Sequence, residues 1–171
     1  MIRAYAKRHG NRILVETGTF LGDMVEAMKR DFKHVYSIEL SQQLFDQATV
    51  RFQDDPNVTL IQGDSGRALK HVLTALTEPA LFWLDGHWSD GITARGDRDT
   101  PVREEMDAIF AAADLPHVIL IDDARLFGTD PAYPTIEELR RLAFARRPRM
   151  EFAVDVDIIR ISPRLNGSMP A

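Results

Sequence analysis

Apolar residues along this chain follow two alternating rhythms. Short, nearly continuous runs occur at residues 13–16 (ILVE), 34–39 (HVYSIE), 58–61 (VTLI), 80–85 (ALFWLD) and 117–122 (HVILID). Between them the apolar positions recur at helical spacing. The predicted inward faces are Leu21, Met24, Val25, Met28 and Phe32, then Leu44, Phe45, Ala48 and Phe52. Two more follow: Ala68, Leu69, Val72, Leu73 and Leu76, and Val102, Met106, Ile109, Phe110 and Ala113. The first rhythm predicts strands buried on both faces and the second amphipathic helices. Cap residues mark the helix starts: Ser41, Thr100 followed by Pro101, and Thr135 with Glu138 three residues on. The closing runs at 150–155 (MEFAVD) and 157–162 (DIIRIS) are nearly contiguous, which predicts an antiparallel hairpin. Five strand-then-helix units imply an α/β, doubly wound, mostly parallel sheet of about seven strands with helices on both faces. The spacing predicts no element in residues 1–12, and no repeat or linker divides residues 1–171, read as a single domain.

In an open parallel sheet, ligands sit beyond the C-terminal strand ends. Here those ends are Glu16, Glu39, Gly63-Asp64-Ser65, Asp85 and Asp122-Asp123, an unusually regular acidic set. The first turn, ETGTFLGD (16–23), carries Gly18 and Gly22, with Phe20 where a dinucleotide fingerprint needs its second glycine. NAD is therefore a poor fit. The alternative is an ordinary strand-to-helix turn capped by Thr19. Glu39 is placed to accept ribose hydroxyls or, alternatively, to cap the next helix. Asp64 is placed beside an adenine amino group or as an N-cap.

Composition narrows the chemistry. Without cysteine, thiolate metal sites and cysteine nucleophiles are excluded. A net charge of −5 argues against nucleic acid as an obligate partner. No apolar run is long enough to span a membrane, and the basic N-terminus lacks a signal-peptide core. The expectation is a cytoplasmic protein with a small-molecule substrate, no membrane association, and a homodimer as a possible state.

The motifs VETGTFLG, VYSIEL, LIQGDS, FWLDGHW and VILIDDA, in this order and spacing, resemble class I S-adenosylmethionine-dependent methyltransferases over residues 12–160. The resemblance implies a Rossmann-like sheet ordered 3-2-1-4-5-7-6 with strand seven antiparallel. It places S-adenosyl-L-methionine against Glu16, Thr17, Gly18, Thr19, Phe20 and Gly22. Glu39 and Leu40 would face the ribose, Gly63, Asp64 and Ser65 the adenine, and Asp85 would close the set.

The acidic ends of strands four and five further resemble those of metal-dependent O-methyltransferases of the macrocin/novobiocin and catechol types. That likeness implies Mg²⁺ held by Asp85, Asp122 and Asp123, with Asp85 and His87 catalytic and His87 as general base. The hydroxyl of a sugar or secondary metabolite would then be the methyl acceptor. Separate caps and solvated acids are the alternative for the aspartates, and a surface loop residue for His87. Trp88 either lines the pocket or anchors its loop. Arg95 and Arg98 either grasp an anionic substrate or belong to a solvated loop, and Tyr133 lies on a second rim loop. The competing functions are another reaction on the same fold, such as hydroxylation or aminopropyl transfer, and a silent nucleoside-binding module.

Overall fold

A computed structural model describes residues 1–86 and 100–165. Five strands, β1 (Ile13–Thr17), β2 (His34–Glu39), β3 (Val58–Gln62), β4 (Ala80–Leu84) and β5 (Val118–Ile121), form the parallel part of the sheet. β6 (Met150–Asp155) and β7 (Ile158–Pro163) form the closing hairpin. The seven strands lie in the order 3-2-1-4-5-7-6, and β7 runs antiparallel to both β5 and β6. Fold class, strand order and hairpin all follow the expectation.

Every residue of β1, β4 and β5 is buried, because helices cover both faces of the central strands. Side chains alternate across the sheet. Ile13, Val15, Phe82, Leu84, Ile119 and Ile121 pack on one face with α4 (Ser65–Ala75) and α5 (Val102–Ala111), through Leu69, Val72, Met106 and Ile109. Leu14, Val35, Leu81, Trp83, Val118 and Leu120 pack on the other face with Ile2, Val25, Ala48 and Phe52. The same alternation continues to the strand ends. Thr17 therefore shares the α4/α5 side with Val15, while Glu16 shares the opposite side with Leu14.

That opposite side is covered by α1 (Ile2–His9), α2 (Asp23–Met28) and α3 (Gln42–Arg51). The spacing predicts nothing at α1, because only Ile2 and Ala6 are buried within a basic segment. Gly10, at φ 71°, ends that helix in the left-handed conformation that glycine adopts without steric cost. α2 is shorter than its apolar spacing implies. It starts after Gly22, whose φ of 80° turns the chain, so Leu21 stays outside the helix and is 46% exposed. Ala113 likewise falls beyond the end of α5 and is exposed.

Ser41 caps α3 as expected, its hydroxyl accepting the Leu44 N–H at 3.4 Å. α5 begins one residue later than predicted, at Val102, with the Thr100 hydroxyl accepting that residue's N–H at 3.3 Å. At α6 (Ile136–Arg146) the predicted capping box is complete. The Thr135 hydroxyl accepts the Glu138 N–H at 3.2 Å, and the Glu138 carboxylate accepts the Thr135 N–H at 2.7 Å. Thr135→Ala is expected to cost about 1 kcal/mol. It should lower the urea midpoint at constant m-value, and an unchanged midpoint would refute the cap's contribution.

Candidate functional site

The strand order reverses direction between β1 and β4, so a crevice opens between their C-terminal ends. Gly18 makes that junction possible. At φ +85° it lies so near β4's end that an added β-carbon would sit 2.4 Å from the Asp85 carbonyl oxygen. The Asp85 N–H bonds the Thr17 carbonyl at 3.2 Å and also approaches the Thr17 hydroxyl at 3.3 Å.

On the β2 side, Glu39 organises the first turn. Its two carboxylate oxygens accept one backbone N–H each, from Phe20 and from Ser41, both at 2.8 Å. Phe20 has a φ of 48°, uncommon for a bulky residue, and its side chain is 45% exposed. Each carboxylate oxygen keeps acceptor capacity beyond the N–H it already holds. The Gly63 N–H bonds the Glu39 carbonyl at 2.9 Å, which draws the end of β3 against β2. Leu40 is half-buried, and its carbonyl accepts the Gln62 side-chain amide at 3.0 Å. Asp64 is the N-cap of α4, accepting the Arg67 N–H at 3.2 Å, and Ser65 is buried beside it.

Thr19 does not cap a helix. It is buried and hydrogen-bonds the Ser37 hydroxyl at 2.6 Å, and Ser37 donates to Glu16 at 2.5 Å. This chain of three follows from register, since Glu16 lies directly opposite Ser37 in the β1–β2 ladder. Burial pushes the Glu16 carboxyl up to about 8, opposed by Ser37's hydrogen bond and reinforced by the charges of Asp85 and Glu39.

Between the ends of β4 and β5 lies a small cavity, and the empty space in and in front of it, open solvent included, is about 230 Å³. Asp85, Gly86, Thr100, Glu105, Asp122 and Tyr133 are among its walls. Phe127 lies beneath, in edge contact with Tyr133 at 5.2 Å between ring centres. Asp85 and Asp122 are brought together here, as the sequence predicts. Desolvation and the neighbouring Asp85, Asp123 and Asp157 raise the Asp122 carboxyl, despite its hydrogen bond from the Asp123 N–H.

Asp123 departs from the predicted metal triad. It adopts φ 57°, and its carboxylate pairs with Arg125 at 2.7 Å. Arg125 also pairs with Asp157, at the turn of the β6–β7 hairpin. Among the described residues no group of three or more His, Cys, Asp or Glu side chains is arranged to hold a metal ion. These residues do not fit the magnesium site that the resemblance implies, because Asp123 is turned to a guanidinium. His87, Trp88, Arg95 and Arg98 lie outside the described residues.

Sequence reasoning missed Glu105. Its side chain is 1% exposed, and burial pushes its carboxyl up to about 7 even though the Ser65 and Thr17 hydroxyls favour the ionised form. Its Oε1 has no hydrogen-bond partner among the described residues. The signal was present in the spacing. Position 105 lies on the inward stripe formed by Val102, Met106 and Ile109, but an acid in a helix's first turn reads as a solvated dipole partner.

With this geometry in view, comparison with known proteins identifies the fold. No protein-family model and no curated protein matches the chain. Solved structures do. It is similar to the S-adenosylhomocysteine-bound methyltransferase PaMTH1 of Podospora anserina, with 18% identity and TM-score 0.64 over 95% of this chain and 76% of that one. A Streptococcus mutans protein in complex with S-adenosylhomocysteine matches at 12% identity and TM-score 0.62 over 95% of each chain. The 23S rRNA methyltransferase ErmE matches at 18% identity and TM-score 0.55, over 95% of this chain and only 66% of ErmE. The fold is thus the Rossmann-like methyltransferase fold. Because an rRNA enzyme shares it, the fold alone does not separate a small acceptor from RNA. Among the described residues no helix is long and apolar enough to cross a membrane.

The buried carboxyls make a signed prediction. A carboxyl whose pKa is raised by folding is protonated in the folded chain where the unfolded chain has already ionised. Stability therefore falls as pH rises from about 4.5 to the folded value, near 7 for Glu105 and near 8 for Glu16. His117 has the opposite sign. Burial lowers it to about 4, so its contribution rises with pH up to 6.5 and is constant beyond. Between pH 7 and 8 the Glu16 effect stands clear, at about 1.4 kcal/mol per pH unit as an upper figure. Urea unfolding across that window should show the wild type losing stability and Glu16→Gln holding level. Parallel losses in both proteins would refute the assignment.

Proposed function

We propose that this protein is an S-adenosyl-L-methionine-dependent methyltransferase acting on a hydroxyl of a small molecule. The observation that carries the reading is the Glu39 carboxylate at the end of β2. It is fixed by the Phe20 and Ser41 N–H groups, and spare acceptor capacity remains on both oxygens. Such a group suits the two hydroxyls of a ribose. Gly18 keeps the β1–β4 junction free of a side chain, and Asp64 and Ser65 open α4 just after the end of β3. The acidic surroundings favour a ligand bearing positive charge over a dinucleotide's pyrophosphate.

When bound, S-adenosyl-L-methionine supplies a methyl group on a sulfonium. The chain's own task is then to position the acceptor. Of Asp85 and Asp122, one carboxylate accepts the hydrogen bond that the acceptor hydroxyl donates, orients its oxygen and takes up its proton as the methyl is transferred and the sulfonium becomes a neutral thioether, with Phe127 and Tyr133 as the apolar wall. Positioning of this kind is a large part of the catalysis that a methyltransferase provides. The acidic walls also disfavour a phosphate backbone, which supports a small molecule over RNA. No step is assigned to Mg²⁺, since Asp123 is tied to Arg125.

Thermal melts with S-adenosylhomocysteine test the reading. A ligand at 100 times its Kd stabilises by about 2.7 kcal/mol, readily seen as a shift in Tm. Glu39→Ala should weaken the ligand by tenfold or more. Absence of a shift with either S-adenosylhomocysteine or S-adenosylmethionine in the wild type would overturn the proposal.

A further inference from the structure

The sheet has two outer strands, β3 and β6, and among the described residues neither has a strand on its outer side. An open edge is a template for another strand, and proteins commonly blunt it with lysine, proline or a bulge. β6 (MEFAVD) has none of these. Its register with β7 runs unbroken through six pairs, from Met150 opposite Pro163 to Asp155 opposite Ile158. The Arg149 carbonyl accepts the Arg164 N–H, so the odd-numbered positions bond towards β7. The backbone groups of Phe152 and Val154 therefore point outward. Apolar surface accompanies them. Val154 is 39% exposed, and Phe144 of α6 is 37% exposed beside Phe152, with 6.5 Å between ring centres.

Charge selects what can lie on this edge. When two β6 strands pair antiparallel about a twofold axis, residues directly opposite share a face, and like charges there are destabilising. An axis at Ala153 sets Glu151 against Asp155 of the second copy. An axis at Glu151 opposes that residue to itself, and one at Val154 opposes it to Asp157. An axis at Phe152 opposes no like charges. It sets Arg149 against Asp155 twice, Met150 against Val154 twice, and Glu151 against Ala153. Arg149 and Asp155 are both exposed. Asp155 Oδ2 pairs with Arg160 at 2.8 Å, which leaves Oδ1 for a second guanidinium. β3 (VTLIQ) carries no charged residue that could select a register in this way.

We propose that β6 pairs antiparallel with β6 of a second copy of this chain, in the register centred on Phe152, and so forms a homodimer with one continuous sheet. The two copies of Phe152 exchange backbone hydrogen bonds. The Val154 N–H of each chain reaches the Met150 carbonyl of the other, while the Met150 N–H stays with the Arg147 carbonyl at 3.1 Å. Phe144 and Phe152 of both chains then form one aromatic cluster. The Arg140 guanidinium lies over the Phe152 ring at 5.0 Å and has Glu137 at 3.8 Å to offset its charge. β6 is parallel to β5, since β7 is antiparallel to both. The twofold axis therefore turns the two crevices to opposite ends of the joined sheet and leaves both open. The proposal does not depend on the methyltransferase reading.

Sedimentation velocity at rising protein concentration tests it. The wild type should pass from monomer to dimer. Arg149→Glu and Asp155→Lys, each alone, should weaken association about tenfold or more, because each turns two attractive pairs into repulsive ones. An equimolar mixture of these two variants should regain the dimer, because the introduced glutamate then faces the introduced lysine and the remaining native pair is kept. Val154→Pro removes an outward N–H and no bond to β7, and it should weaken association similarly. Far-UV circular dichroism and Tm matching the wild type confirm that each variant folds. A wild type that stays monomeric at every concentration overturns the proposal. So does a dimer that Arg149→Glu and Val154→Pro leave unchanged, and so does a mixture that fails to regain what its two components lost.

Discussion

The approach of β1's end to β4's end is the constraint on which the rest of the site depends. At Gly18 the two backbones are so close that no β-carbon could stand between them. This contact brings Thr17 and Asp85 within hydrogen-bonding distance, and it sets where Gly86 can lie. It also fixes the exit angle of the first turn, which Glu39 then secures by holding the Phe20 N–H. A positive φ at Phe20 is uncommon for a bulky residue and is tolerated because its amide is held there. Loosening the junction would release the turn, the Glu39 contacts and the floor beneath Gly86 together.

Around that junction the protein buries carboxyls that its fold does not need. Glu16 and Glu105 lie on opposite faces of the sheet, each nearly inaccessible, and each shifted by burial toward its neutral form. Glu16 is partly satisfied by Ser37 and Thr19. Glu105 is less so. Two such groups lower stability near neutral pH, where most domains have only 5–15 kcal/mol to spare. Stability is thus given up on both faces of the sheet beside the same crevice, a pattern that functional sites commonly show.

Much of this was legible in the sequence, and the exceptions have physical reasons. The central strands announced themselves because burial on both faces demands near-continuous apolar runs, and the acidic strand ends followed from them. Asp85 and Asp122 met as predicted because β4 and β5 are neighbours. α1 was invisible because two buried side chains among arginines and lysines make too weak a stripe. Leu21 was misread because Gly22 turns the chain before the helix begins, which spacing alone does not reveal. The alternative reading of Thr19 as a helix cap gives way because its hydroxyl bonds Ser37, which is on another strand. Among the described residues the three aspartates are not gathered into one group, for a similar reason. Arg125 is only two residues from Asp123, but Asp157 of the distant hairpin helps to position it. Glu105 was missed because a glutamate in a helix's first turn has a common explanation, and only the tertiary arrangement shows it pointing inward.

The hairpin's attachment has a consequence for how this architecture can diversify. The crevice's β1–β3 side is built from backbone amides and Glu39, all held by the sheet's parallel core. The opposite wall depends instead on β5's continuation, where the Asp157 carbonyl and carboxylate hold the Ala124 and Arg125 amides. The two walls have separate supports, so sequence drift in the outer hairpin can remould one without disturbing the other. A lineage carrying this scaffold can therefore reshape the β5 side of the crevice while the β1–β3 side stays fixed.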